Sequence, residues 1–190
     1  MPKSLILAFF LMCPLSLSAQ GTPEFPTSDE ISTLMQQANL AMQQYRETML
    51  DETDKLGKDA DNKKNEKNAL DNWQFIVSVL KTRPDNFNSG VGFMVVDALN
   101  TAYQTALACE VNSLNNFRTA VLLKAEDRLS AAEDISKACM NAAQSLVIVK
   151  VSATKLYTKY LQAQKVLYEK SYSAAVTCGE ALKRVTANKP

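Results

Sequence analysis

The chain has 190 residues, 46% of them hydrophobic and 22% charged, a balance that suits one globular domain with a sizeable core. It contains no histidine, which excludes Ser-His-Asp and Cys-His catalysis, His-containing zinc sites and CxxCH haem attachment; its net charge of +1 argues against a dedicated nucleic-acid binder. Five Gly and six Pro are few turn formers, so the elements must be long, which favours an all-α chain over an all-β one.

Residues 1–19 read MPKSLILAFFLMCPLSLSA, with Lys3 as a short positive start, an apolar stretch over 5–15, and small Ser16, Ser18 and Ala19. This is the pattern of a secretory signal peptide, and its apolar run is too short for a spanning anchor. Cuts after Ser18 and after Ala19 both fit. No Asn-x-Ser/Thr sequon occurs, which leans toward a bacterial secreted or periplasmic protein. Residues 20–28 (QGTPEFPTS) form a Pro-containing, flexible lead-in.

A first helix is predicted over 29–56, opened by a capping box of Thr27 and Glu30. Its apolar face is Ile31, Leu34, Met35, Ala38, Ala41, Met42, Tyr45 and Met49, and Gly57 fits a C-cap. Residues 58–68 carry mixed charge and read as a solvated tip. A second helix follows over 64–82, with Leu70, Trp73, Ile76, Val77 and Leu80 on one face and Pro84 just beyond its end. Trp73, the one tryptophan, is assigned to the core. Residues 84–92 (PDNFNSGVG) read as a loop. Phe87 is its one large apolar side chain, a candidate loop tip for recognition or else a plug folded back on the core.

From residue 93 to 178 the chain has no proline before the lone Gly179, and apolar residues recur at steps of three and four. A third helix starts near Val91 or Phe93, with a seam of Val96, Leu99, Tyr103, Ala106, Leu114, Phe117, Val121 and Ala125. A turn is placed at 124–130, where Ser130 and Glu133 repeat the capping-box spacing. A fourth helix over 130–183 would be roughly 80 Å long. Its β-branched run 145–151 (SLVIVKV) offers a strand as the weaker alternative, and a break is expected near Ser152. The fold expected is an elongated antiparallel three- or four-helix bundle over 29–186, with coiled-coil-like packing and one very long C-terminal helix.

Residues 20–60 hold eight acidic and three basic side chains, whereas 150–190 hold two acidic and eight basic. Either the acidic first helix packs along the basic half of the last, or that half meets a partner. Lys155, Tyr157, Lys159, Tyr160, Lys165, Tyr168 and Tyr172 form the candidate partner surface, since tyrosines interleaved with lysines suit protein contact, and equally suit the margin of a core. If the last helix is continuous, Cys139 and Cys178 lie about 58 Å apart along it, so an intramolecular disulfide must include Cys109. Cys109–Cys139 is the pair expected, and Cys178 is left for an intermolecular bond.

No catalytic constellation, metal site or cofactor motif is recognisable. The expected function is that of an exported, non-enzymatic helical bundle acting through protein–protein contacts or self-association, as an adaptor, an adhesion or pilus-associated subunit, or a secretion-apparatus accessory. The alternative is a periplasmic bundle that binds or senses a small molecule or lipid. A third reading is a membrane-active bundle that releases Phe87 and the apolar 93–96; nothing in the composition calls for membrane contact.

Overall fold

The computed structural model describes residues 22–52 and 60–187. The leader, 1–19, and the Gly57 cap lie outside these residues. Four α-helices and no strand occur among the described residues: α1 (Ser28–Glu47), α2 (Ala60–Thr82), α3 (Ser89–Leu122) and α4 (Glu126–Ala187). The chain divides into two compact units, and the larger, Phe25–Leu161, holds α1 to α3 and the first part of α4.

The ends of these helices follow from local chemistry. Thr27 caps α1: its hydroxyl accepts from the Glu30 N–H at 3.2 Å, and the Glu30 carboxylate accepts from the Thr27 N–H at 2.8 Å, the full capping box. Beyond Glu47 the helix widens into a π-turn, Thr48–Glu52, instead of continuing as α-helix to 56 as predicted. One extra residue per turn there leaves Thr48 and Met49 buried and turns Leu50 outward. A 3-10 turn, Pro84–Asn86, follows α2, and Asn88 caps α3 by accepting from the Val91 N–H at 3.0 Å. That cap starts α3 at Ser89 and shortens the predicted loop.

The α3–α4 turn is tighter than the predicted 124–130. Ala125 N–H reaches Ala120 O at 3.0 Å, and Lys124 N–H reaches Val121 O at 3.2 Å, the paired bonds of a Schellman close. Lys124 takes the left-handed conformation that close requires, at φ 54°. With the carbonyls satisfied, α4 starts at Glu126, and Ser130 is inside the helix. The helix runs unbroken through 145–151 and Ser152, because its apolar period continues there. The strand and the break are therefore absent.

Side-chain pairs give the register within the larger unit. Glu30 meets Lys159 and Gln44 meets Ser145, an interval of 14 residues on each side, so α1 and α4 are antiparallel. Ser28 to Asp85 and Asn39 to Trp73 run the same way along α1 and α2. Lys150 donates to Asn100 at 3.3 Å and Cys109 bonds Cys139, which sets α3 antiparallel to α4. The arrangement is an antiparallel four-helix bundle.

Its core joins Tyr45, Met49, Ile76, Leu99, Ile135 and Leu146. Ala38 and Ala41 of α1 and Ala98, Ala102 and Ala106 of α3 are buried too, small residues that let backbones approach. The predicted seam of α3 holds in its first half, where Leu99 and Ala106 are buried and Val96 and Tyr103 pack against the core, and shifts in its second. Val95, Ala98, Ala102, Ser113 and Ala120 face inward, while Leu114 and Val121 are exposed. Toward its C-terminal end the helix buries the small Ser113 and Ala120 rather than the larger Leu114 and Val121. Gly92 belongs to the same economy of space: a Cβ there would lie 2.7 Å from Tyr157 Cδ2 and 3.1 Å from Phe87 Cζ.

Candidate functional site

Phe87 is 4% exposed, seated on Gly92 and edge-on to the Tyr160 ring at 6.2 Å. It is a plug; the exposed tip is corrected by the apolar bed that Gly92 and Tyr160 make for it. Cys109 and Cys139 form the expected disulfide, with Cα atoms 5.9 Å apart, and none of the described cysteines, Cys178 included, is free.

The seven residues of the candidate partner surface do not act as one group. Tyr157 and Tyr160 pack against the core, and Phe25 adds a second edge contact to Tyr160 at 5.4 Å. Lys159 donates to both Glu30 carboxylate oxygens, at 2.9 and 3.0 Å. The backbone N–H of Thr27, and then Lys159, hold the Glu30 carboxyl below its ordinary range. Lys155 is exposed. Lys165 stands 3.9 Å from Glu169 one helical turn on, and Tyr168 and Tyr172 are 71% and 64% exposed. Tyr157, Lys159 and Tyr160 thus serve the bundle, and the Glu30–Lys159 pair joins the acidic α1 to α4.

The site with the most developed geometry lies between α1 and α2. Asn39, Met42, Gln43, Arg46, Glu47 and Leu50 face Leu70, Trp73, Gln74 and Val77 across a groove of 650 Å³. Both sets follow helical steps of three and four, so each is one stripe of its helix. The floor is Met42 and Trp73, both buried, and the flanks are Leu50, Leu70 and Val77. The rim is polar and exposed. Trp73 Nε1 donates to Asn39 Oδ1 at 2.9 Å, which fixes the indole plane across the groove. Gln43 Nε2 donates to Glu47 Oε1 at 2.9 Å. Arg46 makes no hydrogen bond or ion pair among the described residues.

Met42, Leu70, Trp73 and Val77 were legible as apolar-face positions, but the groove they line was not. Trp73 is buried in the core as expected, and it also lines the groove. A stripe of amides beside an apolar face was the available signal, at Asn39, Gln43 and Gln74.

Behind the groove, Tyr45 is fully buried, and its hydroxyl has no hydrogen-bond partner of good geometry. Burial pushes that hydroxyl well above its ordinary range, against the lowering effect of nearby Thr105; the buried Glu66 carboxylate adds to the rise. Thr105 spends its own donor on the Thr101 carbonyl at 2.8 Å. No cluster of three His, Cys, Asp or Glu side chains able to hold a metal occurs among the described residues, and none of the described helices is long and apolar enough to cross a membrane. Comparison with protein-family models, with curated proteins and with solved structures finds no match for this chain.

Proposed function

We propose that this chain is an exported, non-enzymatic helical bundle that binds a small molecule with an apolar body in the groove between α1 and α2. The observation that carries the reading is the groove itself, with a Met42–Trp73 floor, aliphatic flanks and a polar rim, at 650 Å³. Small-molecule sites are commonly apolar clefts of about 300–1,000 Å³ with a few polar groups, and they form between the helices of bundles. The signal-peptide pattern of 1–19 and the Cys109–Cys139 disulfide support an oxidising compartment outside the cytoplasm. Because Trp73 is the one tryptophan in the chain, its emission reports on the groove alone. Titration with 1-decanol is expected to shift that emission saturably, with one site per chain. A flat titration with decanol and with bulkier neutral probes would count against the reading.

A second reading, contact with a protein partner, is favoured by the end of the α3–α4 hairpin. Val111, Leu114, Val121, Leu122 and Leu123 are all exposed there, Leu122 at 82%, outside the continuous core. Clustered exposed aliphatics of this kind mark interaction surfaces. Light scattering on the intact chain and on a Leu122→Asp, Leu123→Asp variant tests it. Self-association that the variant loses supports it, and a monomer in both cases with no partner captured from the producing cell counts against it. Release of Phe87 and the 93–96 segment into a bilayer would require opening the core, since Phe87 and Val95 are buried in it.

A further inference from the structure

We infer that the ligand of the α1–α2 groove is a carboxylate-bearing amphiphile whose head is held by Arg46 and whose apolar body lies on Trp73 and Met42. This rests on the ligand-binding reading of the groove and adds the chemistry of the head group.

Arg46 lines the groove, is exposed at its rim, and has no ion pair or hydrogen bond among the described residues. Its place in the last turn of α1 accounts for a cation there through the helix dipole, but leaves the planar fork of five donors unused. The neighbouring carboxylate, Glu47, is already engaged by Gln43. Glu47 keeps its negative charge, since the Gln43 amide is neutral, but of the two charged groups that line the groove only the Arg46 guanidinium has no hydrogen bond among the described residues. A guanidinium binds a carboxylate through two parallel N–H···O bonds, and such a pair is stronger where one side faces apolar surface. Met42, Leu50 and Trp73 provide that surface, and Trp73 is held in place by Asn39. A single anionic head on a medium-length apolar chain satisfies both halves.

The test compares three probes of equal chain length, decanoate, 1-decanol and decyltrimethylammonium, by Trp73 emission at pH 8 on the full chain. Decanoate is expected to bind at least about tenfold more tightly than decanol, the value of one charge-assisted contact near 1.4 kcal/mol. Arg46→Gln is expected to abolish that difference by weakening decanoate, and Arg46→Lys to restore part of it. Arg46 is exposed, so neither variant disturbs the core. Equal affinity for decanoate and decanol, or a preference untouched by Arg46→Gln, overturns the carboxylate assignment and leaves the groove reading standing. Tightest binding of the ammonium probe overturns it in favour of Glu47. No response to any of the three overturns the assignment and the groove reading together.

Discussion

Cys109 and Cys139 are bonded because Lys124 stands midway between them. The bond spans 30 residues, and the left-handed turn residue lies 15 from each cysteine. In two antiparallel helices of equal rise, residues equidistant from the turn lie at the same height. A turn three residues later, near 127 as the sequence predicts, would set Cys109 opposite 145 and Cys139 out of reach. The Schellman close at 120–125 therefore decides the pairing.

Lys124→Gly should stabilise the protein by about 1 kcal/mol, because a side chain in the left-handed region costs that much and glycine does not. The Lys124 side chain is exposed and φ is 54°, so no packing is lost. Thermal and urea melts check this. A lower midpoint would mean that the lysine side chain contributes something its exposure conceals.

Gly92→Ala should destabilise by about 1–3 kcal/mol, the cost of overpacking, partly offset by the better helix propensity of alanine. The added Cβ would meet the Tyr157 ring at 2.7 Å and the Phe87 ring at 3.1 Å, and neither ring can swing away from a packed core. Gly90→Ala is the control, since its Cβ would meet only Asn88 Oδ1 at 3.4 Å. Equal melting temperatures for the two variants would show that the Phe87–Tyr157 bed yields more than its burial implies.

Tyr45→Phe should leave stability unchanged or raise it by up to about 1 kcal/mol, because it removes a buried hydroxyl without a partner. The same ring remains to fill the core. Destabilisation beyond about 1 kcal/mol would identify a real bond at that hydroxyl, with Thr105 the first place to look.

Glu30 should make stability fall on acidification. Its folded carboxyl is held below the ordinary value of 4.5, chiefly by the Thr27 N–H and then by Lys159. A folded value below the unfolded one gives stabilisation that is present above the ordinary glutamate range and lost as pH falls through the folded value. At neutral pH, Glu30→Gln should cost about 0.5 kcal/mol, small because the pair is partly exposed. The gap between the two proteins should close in acid. A gap of constant size from neutral pH to about pH 3 would show that the charge is not involved.

Much of the fold was legible along the chain. Thr27 and Glu30 announced the first cap, Pro84 the end of α2, and the apolar period of α4 runs through Ile135, Cys139, Ala142, Leu146, Val149 and Ala153, all buried, although Leu167 further along is exposed. Local chemistry determines such features, so one residue and its near neighbours suffice to read them. The phase of the second half of α3 was not legible, because Leu114 and Val121 are more hydrophobic than the Ser113 and Ala120 that replace them inside, whereas Leu99 and Ala106 of the first half are buried as expected. Hydrophobicity ranks side chains by transfer from water; the room left between two close backbones ranks them by size.

By itself the sequence determined an all-α chain without histidine chemistry, the opposite charge of α1 and the end of α4, and the shortlist of cysteines. The tertiary structure decided where those elements meet. It turned Phe87 inward onto Gly92, divided the lysines and tyrosines of α4 between the bundle and solvent, and set α1 and α2 apart over Trp73 to make a groove. Each of those outcomes depends on the distance between two segments far apart in the chain, and a distance of that kind exists only once the helices have packed.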